Sequence, residues 1–154
     1  MKFRWGFALL VFSSLASAQD SPQLYFGADL SYVNELEDCG ATWRAGAQPR
    51  DVFELFHERG ANLVRVRLWN DARWTRYSNL ADVKKTIGRA RAAGMQVLLD
   101  FHYSDDWADG DKQVIPKAWV GIKDVDRLAA ALYDFTFRTL RELDAAGLMP
   151  EMEQ

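Results

Sequence analysis

The chain has 154 residues, 49% apolar and 27% charged, the size and composition of a single globular domain. A net charge of −3 gives no reason to expect nucleic acid or an anionic membrane as partner, and two His with one Cys cannot assemble a structural zinc site. The lone Cys39 has no internal disulfide partner.

Residues 1–18 are expected to be a signal peptide. Lys2 and Arg4 form a basic start, Trp5 to Phe12 an apolar core, and Ala16-Ser17-Ala18 a small-residue cleavage site. The apolar run is far shorter than the roughly 20 residues of a membrane span, and no Cys follows for a lipid anchor. The expectation is an exported protein, secreted or periplasmic, cleaved after Ala18 and without a membrane anchor. Cleavage removes Lys2 and Arg4 and no acid, leaving 17 basic against 22 acidic side chains in residues 19–154.

From Asp20 onward the pattern alternates strand and helix. Leu24 to Ser31 reads as a first strand, followed by a long loop through Asp38-Cys39-Gly40 and Trp43. Pro49 to Arg59 reads as a helix, with Pro49 in its first turn, Val52, Phe53 and Phe56 as its apolar face, and Gly60 as its stop. Asn62 to Trp69 is the second strand. Asn79 caps the next helix, in which Val83, Ile87 and Ala90 share a face and which Gly94 ends. Gln96 to Phe101 is the third strand. Asp124 caps a last helix with a stripe of Leu128, Leu132, Phe135, Leu140 and Leu143, stopped by Gly147. Met149 to Gln154 reads as a loop and the opening of a fourth strand.

Alternating strands and helices with short returns predict an α/β fold with a parallel sheet. Side-chain alternation refines this. Val64, Val66 and Leu68 share one face while Arg65, Arg67 and Trp69 share the other; Val97, Leu99 and Phe101 oppose Leu98, Asp100 and His102. An open doubly wound sheet, covered on both faces, needs strands apolar on both. One apolar face and one that turns polar toward the C-terminal end fit a barrel with helices outside and a polar mouth. The predicted fold is the first half of a (β/α)8 barrel, reaching the start of strand 4.

The stretch Val97 to Asp109, VLLDFHYSDDWAD, changes from a buried strand to carboxylates, an imidazole, a phenol and an indole. In α/β barrels the chemistry sits at the carboxyl ends of the strands. Acids that bind hydroxyls and flat rings that pack on pyranose faces together suit a sugar. Arg65 and Arg67 share the inward face with Asp29 and Asp100, where isolated charges are costly and require partners. Arg65 and Asp100 read as structural ion pairs. Arg67, nearer the rim, reads as orienting a catalytic carboxylate or a substrate hydroxyl. His102 reads either as a satisfied core histidine or as a site residue, and its strand-end place favours the site. Trp69, Trp74, Tyr77, Trp107 and Trp119 fall in or beside strand-to-helix loops and are expected to form a stacking platform. There is no phosphate loop, nucleophile elbow or His-Glu-x-x-His pattern, and the acids from Asp105 to Asp111 lack EF-hand spacing. No metal and no cofactor is expected.

The segments GADLSYVNELE (27–37), NLVRVRLWND (62–71), AAGMQVLLDFHYSDDWAD (92–109) and QVIPKAW (113–119) resemble glycoside hydrolase family 53, the endo-β-1,4-galactanases that cleave galactan and arabinogalactan side chains of pectin. The likeness runs from about Leu24 to the last residue; Gly110 departs from the Pro that commonly follows Trp-Ala-Asp. It implies a (β/α)8 barrel and a retaining mechanism with two glutamates, at the ends of the fourth and seventh strands. Retention places the two carboxyls ~5–5.5 Å apart across the scissile bond. The resemblance sets the Asn-Glu of strand 4 a few residues beyond Gln154, so the expectation is a fragment without either glutamate and inactive alone. Glu151 and Glu153 lie at the N-terminal end of their strand and are not substitutes. The implied substrate-binding residues are Asp29, Arg67, Asn70, His102, Tyr103, Asp105, Trp107 and Trp119. The implied partner is galactan or arabinogalactan, and the parent enzyme is expected to be a monomer. Alternatives are another barrel glycosidase, mannanase- or cellulase-like, and a non-catalytic carbohydrate-binding fragment.

Overall fold

The structure is a computed structural model that describes residues 24–154, so the expected signal peptide lies outside the described residues. In chain order the elements are β1 (Gly27–Asp29), α1 (Val33–Asp38), a hairpin of β2 (Arg44–Ala45) and β3 (Gln48–Pro49), α2 (Val52–Glu58), β4 (Leu63–Trp69), α3 (Leu80–Ala92), β5 (Gln96–His102), α4 (Val125–Ala145) and β6 (Met152–Glu153). The strands β1, β4, β5 and β6 pair in that order, all parallel, and β2–β3 stand apart as an antiparallel pair.

Local chemistry explains most boundaries. The side chains of Asn79 and Asp124 accept hydrogen bonds from the backbone N–H groups of Asp82 and Arg127, as N-caps do. The chain leaves α2, α3 and α4 through Gly60, Gly94 and Gly147, each at positive φ. The start of α2 differs from expectation: Pro49 pairs in β3, and Asp51 caps the helix by accepting from Phe53 N–H. Gly27 is required by close approach, since a Cβ there would lie 2.1 Å from the Leu63 carbonyl oxygen of the neighbouring strand.

The core lies between the sheet and its helices. Val64, Val66 and Leu68 of β4 and Val97, Leu99 and Phe101 of β5 are buried there with Phe53, Val83, Ile87 and Leu143. The stripe of α4 is buried only in part. Leu143 is fully enclosed, whereas Leu128 and Leu132 line a cavity of about 430 Å³ against the 113–119 loop. Phe56, expected on the apolar face of α2, is exposed, and Val52 and Phe53 carry that face.

Candidate active-site mouth

Strand register builds the inward face. Asp29 lies opposite Arg65, and Arg67 lies opposite Asp100. The Arg65 guanidinium pairs with both carboxylates, to Asp29 through Nη1 and to Asp100 through Nη2 at 2.6 Å, and its Nε donates to Gln154 Oε1 at 3.1 Å. One arginine thus ties β1, β4 and β5 and the residue after β6. Burial pushes the Asp100 carboxyl above its ordinary range, against the lowering pull of Arg65, His102 and Arg67. Burial also raises Asp29, but hydrogen bonds from the Ser31 hydroxyl and N–H and from Arg65 outweigh it and leave its carboxyl below the usual value.

Above this network stands Arg67, 4% exposed. Its backbone N–H donates to Ser31 Oγ at 2.8 Å, and Ser31 Oγ donates to Asp29, which locks the ends of β1 and β4 together. Its guanidinium carbon lies 4.3 Å from the ring centre of Trp107, 4.8 Å from Trp69 and 5.0 Å from Tyr32. Among the described residues no carboxylate pairs with it, and its buried Nε has no hydrogen-bond partner. Aromatic faces attract a cation electrostatically, but they leave its N–H groups unused. A buried donor without a partner is rare and demands an explanation; an oxygen arriving from substrate or from another part of the site would supply it.

His102 completes the group. Its ring packs edge-on to Trp69 at 4.5 Å and lies 5.9 Å from Trp107. Nε2 is 3.2 Å from the Asp106 carbonyl, which only accepts, so that bond places a proton on Nε2. Trp107, 42% exposed, caps the cluster.

The remaining expected residues divide. Asp105 is a staple: one carboxylate oxygen accepts from Asn70 Nδ2 (3.3 Å) and Asp71 N–H (3.0 Å), and the other from Lys117 N–H (2.8 Å). Those bonds take up both oxygens, so the structure gives Asp105 a loop-holding position rather than a free hydroxyl-binding one, and Asn70 is held with it. Tyr103 and Trp119 pack on the helix side of the sheet. Tyr103 stacks on Phe101 at 5.6 Å and hydrogen-bonds Thr136 of α4, because it follows inward-facing His102 and so turns to the helix side. Trp119 is buried beside it against Tyr103 and Phe135. Of the five rings expected to form one platform, Trp69 meets Trp74 and Trp107, while Tyr77 donates its hydroxyl to Asp38. Tyr32, which sequence reasoning missed, joins the group 6.3 Å from Trp107. Its signal was present, since it directly follows Ser31, where the expected first strand ends.

The profile of Glycosyl hydrolase family 53 matches residues 25–154. The chain belongs to glycosyl hydrolase family 53. The arabinogalactan endo-beta-1,4-galactanase of Cellvibrio japonicus (strain Ueda107) is 58% identical over 135 residues, 88% of this chain and 36% of its own length. The endo-beta-1,4-galactanase of Bacillus subtilis (strain 168) is 41% identical over 130 residues, 79% and 30% of the two. Among solved structures, one from a study of two fungal beta-1,4-galactanases superposes with a TM-score of 0.78 at 34% identity, over 84% of this chain and 38% of that one. The Ignisphaera aggregans GH53 catalytic domain gives 0.76 at 32% identity, over 83% and 38%. The chain spans about a third of the length of the curated relatives it matches. The expected fold class holds: an α/β parallel sheet that matches about a third of a family 53 barrel.

Proposed function

We propose that this family 53 chain is part of an endo-β-1,4-galactanase acting on galactan and arabinogalactan, and that its residues form one wall of the sugar-binding mouth. The observation that carries the reading is Arg67: a buried guanidinium ringed by Tyr32, Trp69 and Trp107 at the carboxyl end of the sheet, with an unused donor. Carbohydrate chemistry needs both features, flat apolar surfaces for sugar faces and fixed donors for hydroxyls and developing charge. The galactanases among its relatives support galactan as the polymer.

The retaining reaction needs a proton donor and a nucleophile ~5–5.5 Å apart. The inward carboxylates Asp29 and Asp100 are both committed to Arg65. In this reading they support the site, and the two reacting glutamates come from other residues of the whole protein. Arg67 and His102 organise charge around those glutamates, and Trp107 stacks on the substrate. The protein is a monomer exported from the cell, with cleavage after Ala18; an N-terminus at Gln19 by mass spectrometry is the expected sign of processing.

The test uses the full-length protein. Arg67→Ala should lower kcat by about 10²–10³, the cost of one preorganised electrostatic contact. Trp107→Ala should raise KM more than it lowers kcat, since stacking stabilises bound substrate and transition state alike. Near-wild-type kinetics for the Arg67 variant would reduce that residue to a packing role.

A further inference from the structure

We propose a second sugar-binding position, outside the Arg67 cluster, in the groove between the loop after β4 and the loop after β5. Its floor is the indole of Trp74. The groove has a volume of about 260 Å³ and is bordered by Asp71, Arg73, Ile115 and Lys117. Its occupant is a galactosyl residue of the polymer, distant from the bond being cleaved, and the inference rests on the galactanase reading.

A single exposed tryptophan needs no explanation. Trp74 differs in being exposed and fixed together: it is 57% exposed, yet its Nε1–H donates to the Asp105 carbonyl at 2.9 Å and its ring packs edge-on to Trp69 at 5.6 Å. The carbonyl that holds it belongs to the residue whose carboxylate staples the two loops through Asn70, Asp71 and Lys117. An aromatic surface ordered before binding gives up little rotamer entropy when ligand arrives. Trp74 is therefore a preorganised platform, and Asp105 is its positioning residue.

The groove's chemistry selects the occupant. The axial O4 of a β-galactopyranosyl residue leaves the opposite side of the ring as one continuous C–H face, suited to an indole. Its hydroxyls then point toward the border, where Asp71 accepts and Arg73 and Lys117 donate. Arg73 and Asp71 already pair at 2.9 Å with both side chains mostly in solvent, so they can exchange partners at little cost. The groove adjoins the mouth, since buried Trp69 touches both Trp74 and, at 5.1 Å, Trp107. One polymer chain can therefore cross both exposed indoles.

The experiment compares galactotriose with galactohexaose as substrates of the full-length protein. Trp74→Ala should raise KM for the hexaose about tenfold more than for the triose, a differential of about 1.4 kcal/mol, because only the longer chain reaches both indoles. Trp74→Phe, which keeps a flat ring, should show a smaller rise with the same length dependence. Thermal melts establish that each variant is folded; if Trp74→Ala is not, the length dependence of Trp74→Phe decides. Equal factors for both substrates, or a Phe variant as impaired as a folded Ala variant, would overturn the groove. A wild-type protein that leaves galactan intact would overturn the galactanase reading itself, whereas an active wild type with no length dependence in its variants overturns the groove alone.

Discussion

Replacing Arg65 with Met tests the network beneath the mouth. The change keeps most of the aliphatic stem and removes the cation that Asp29 and Asp100 share. Breaking a fully buried pair by deleting one partner costs about 3–5 kcal/mol. Here Asp100 is nearly buried, but Arg65 and Asp29 are about one-third exposed, so solvent recovers part of the loss. A destabilisation of about 2–3 kcal/mol at neutral pH is expected. The loss should also depend on pH. Asp100 already has a folded-state pKa above its unfolded one, raised first by burial. Its contribution to stability is thus present at low pH and lost as pH rises through the folded value. Without Arg65, whose charge is the largest influence lowering that pKa, it rises further, so the variant's deficit should shrink on acidification as Asp100 takes up a proton. Urea unfolding of the full-length protein and the variant, at neutral pH and near pH 5, measures both effects. A deficit below about 0.5 kcal/mol, the scale of ordinary surface substitutions, or one unchanged between the two pH values, would refute the reasoning.

Three further outcomes follow from the same geometry. Asp105→Ala removes three accepted hydrogen bonds and should destabilise by about 1–3 kcal/mol, the range for unsatisfying such donors, with Asp105→Asn intermediate in a thermal melt. Asp29 and Asp51 are both held below the ordinary carboxylate range; for Asp51 the bonds from Arg89 and Phe53 N–H outweigh the upward push of burial. Their stabilisation is present above the unfolded value of about 3.9 and lost as pH falls through the folded values, so the urea midpoint should drop there and Asp29→Asn should flatten the drop. A polypeptide limited to residues 19–154 should release no reducing ends from β-1,4-galactan, because its inward carboxylates are tied to Arg65; release above a buffer control would contradict this.

The parts of the fold legible in the sequence were those set by local periodicity. Val64, Val66 and Leu68 alternate with Arg65, Arg67 and Trp69 within one strand, and two residues per repeat suffice to place them. Asn79 and Asp124 were legible as caps because a cap acts within three residues. The β2–β3 hairpin and α1 were not, since each is too short to display a period. At the mouth the limit was direction. His102 and Tyr103 are adjacent and similar in chemistry, yet one faces inward and the other packs on α4; extending the alternation of β5 by one residue separates them. No such rule reaches Asp105 or Trp119. Their orientation depends on where a long loop returns, a tertiary matter that spacing does not encode.

Hydrolysis of a panel of polymers by the full-length protein tests the central claim most directly. With β-1,4-galactan, β-mannan and cellulose offered in parallel, reducing ends should appear from galactan and not from the other two. Hydrolysis of mannan or cellulose with galactan left intact would contradict the account.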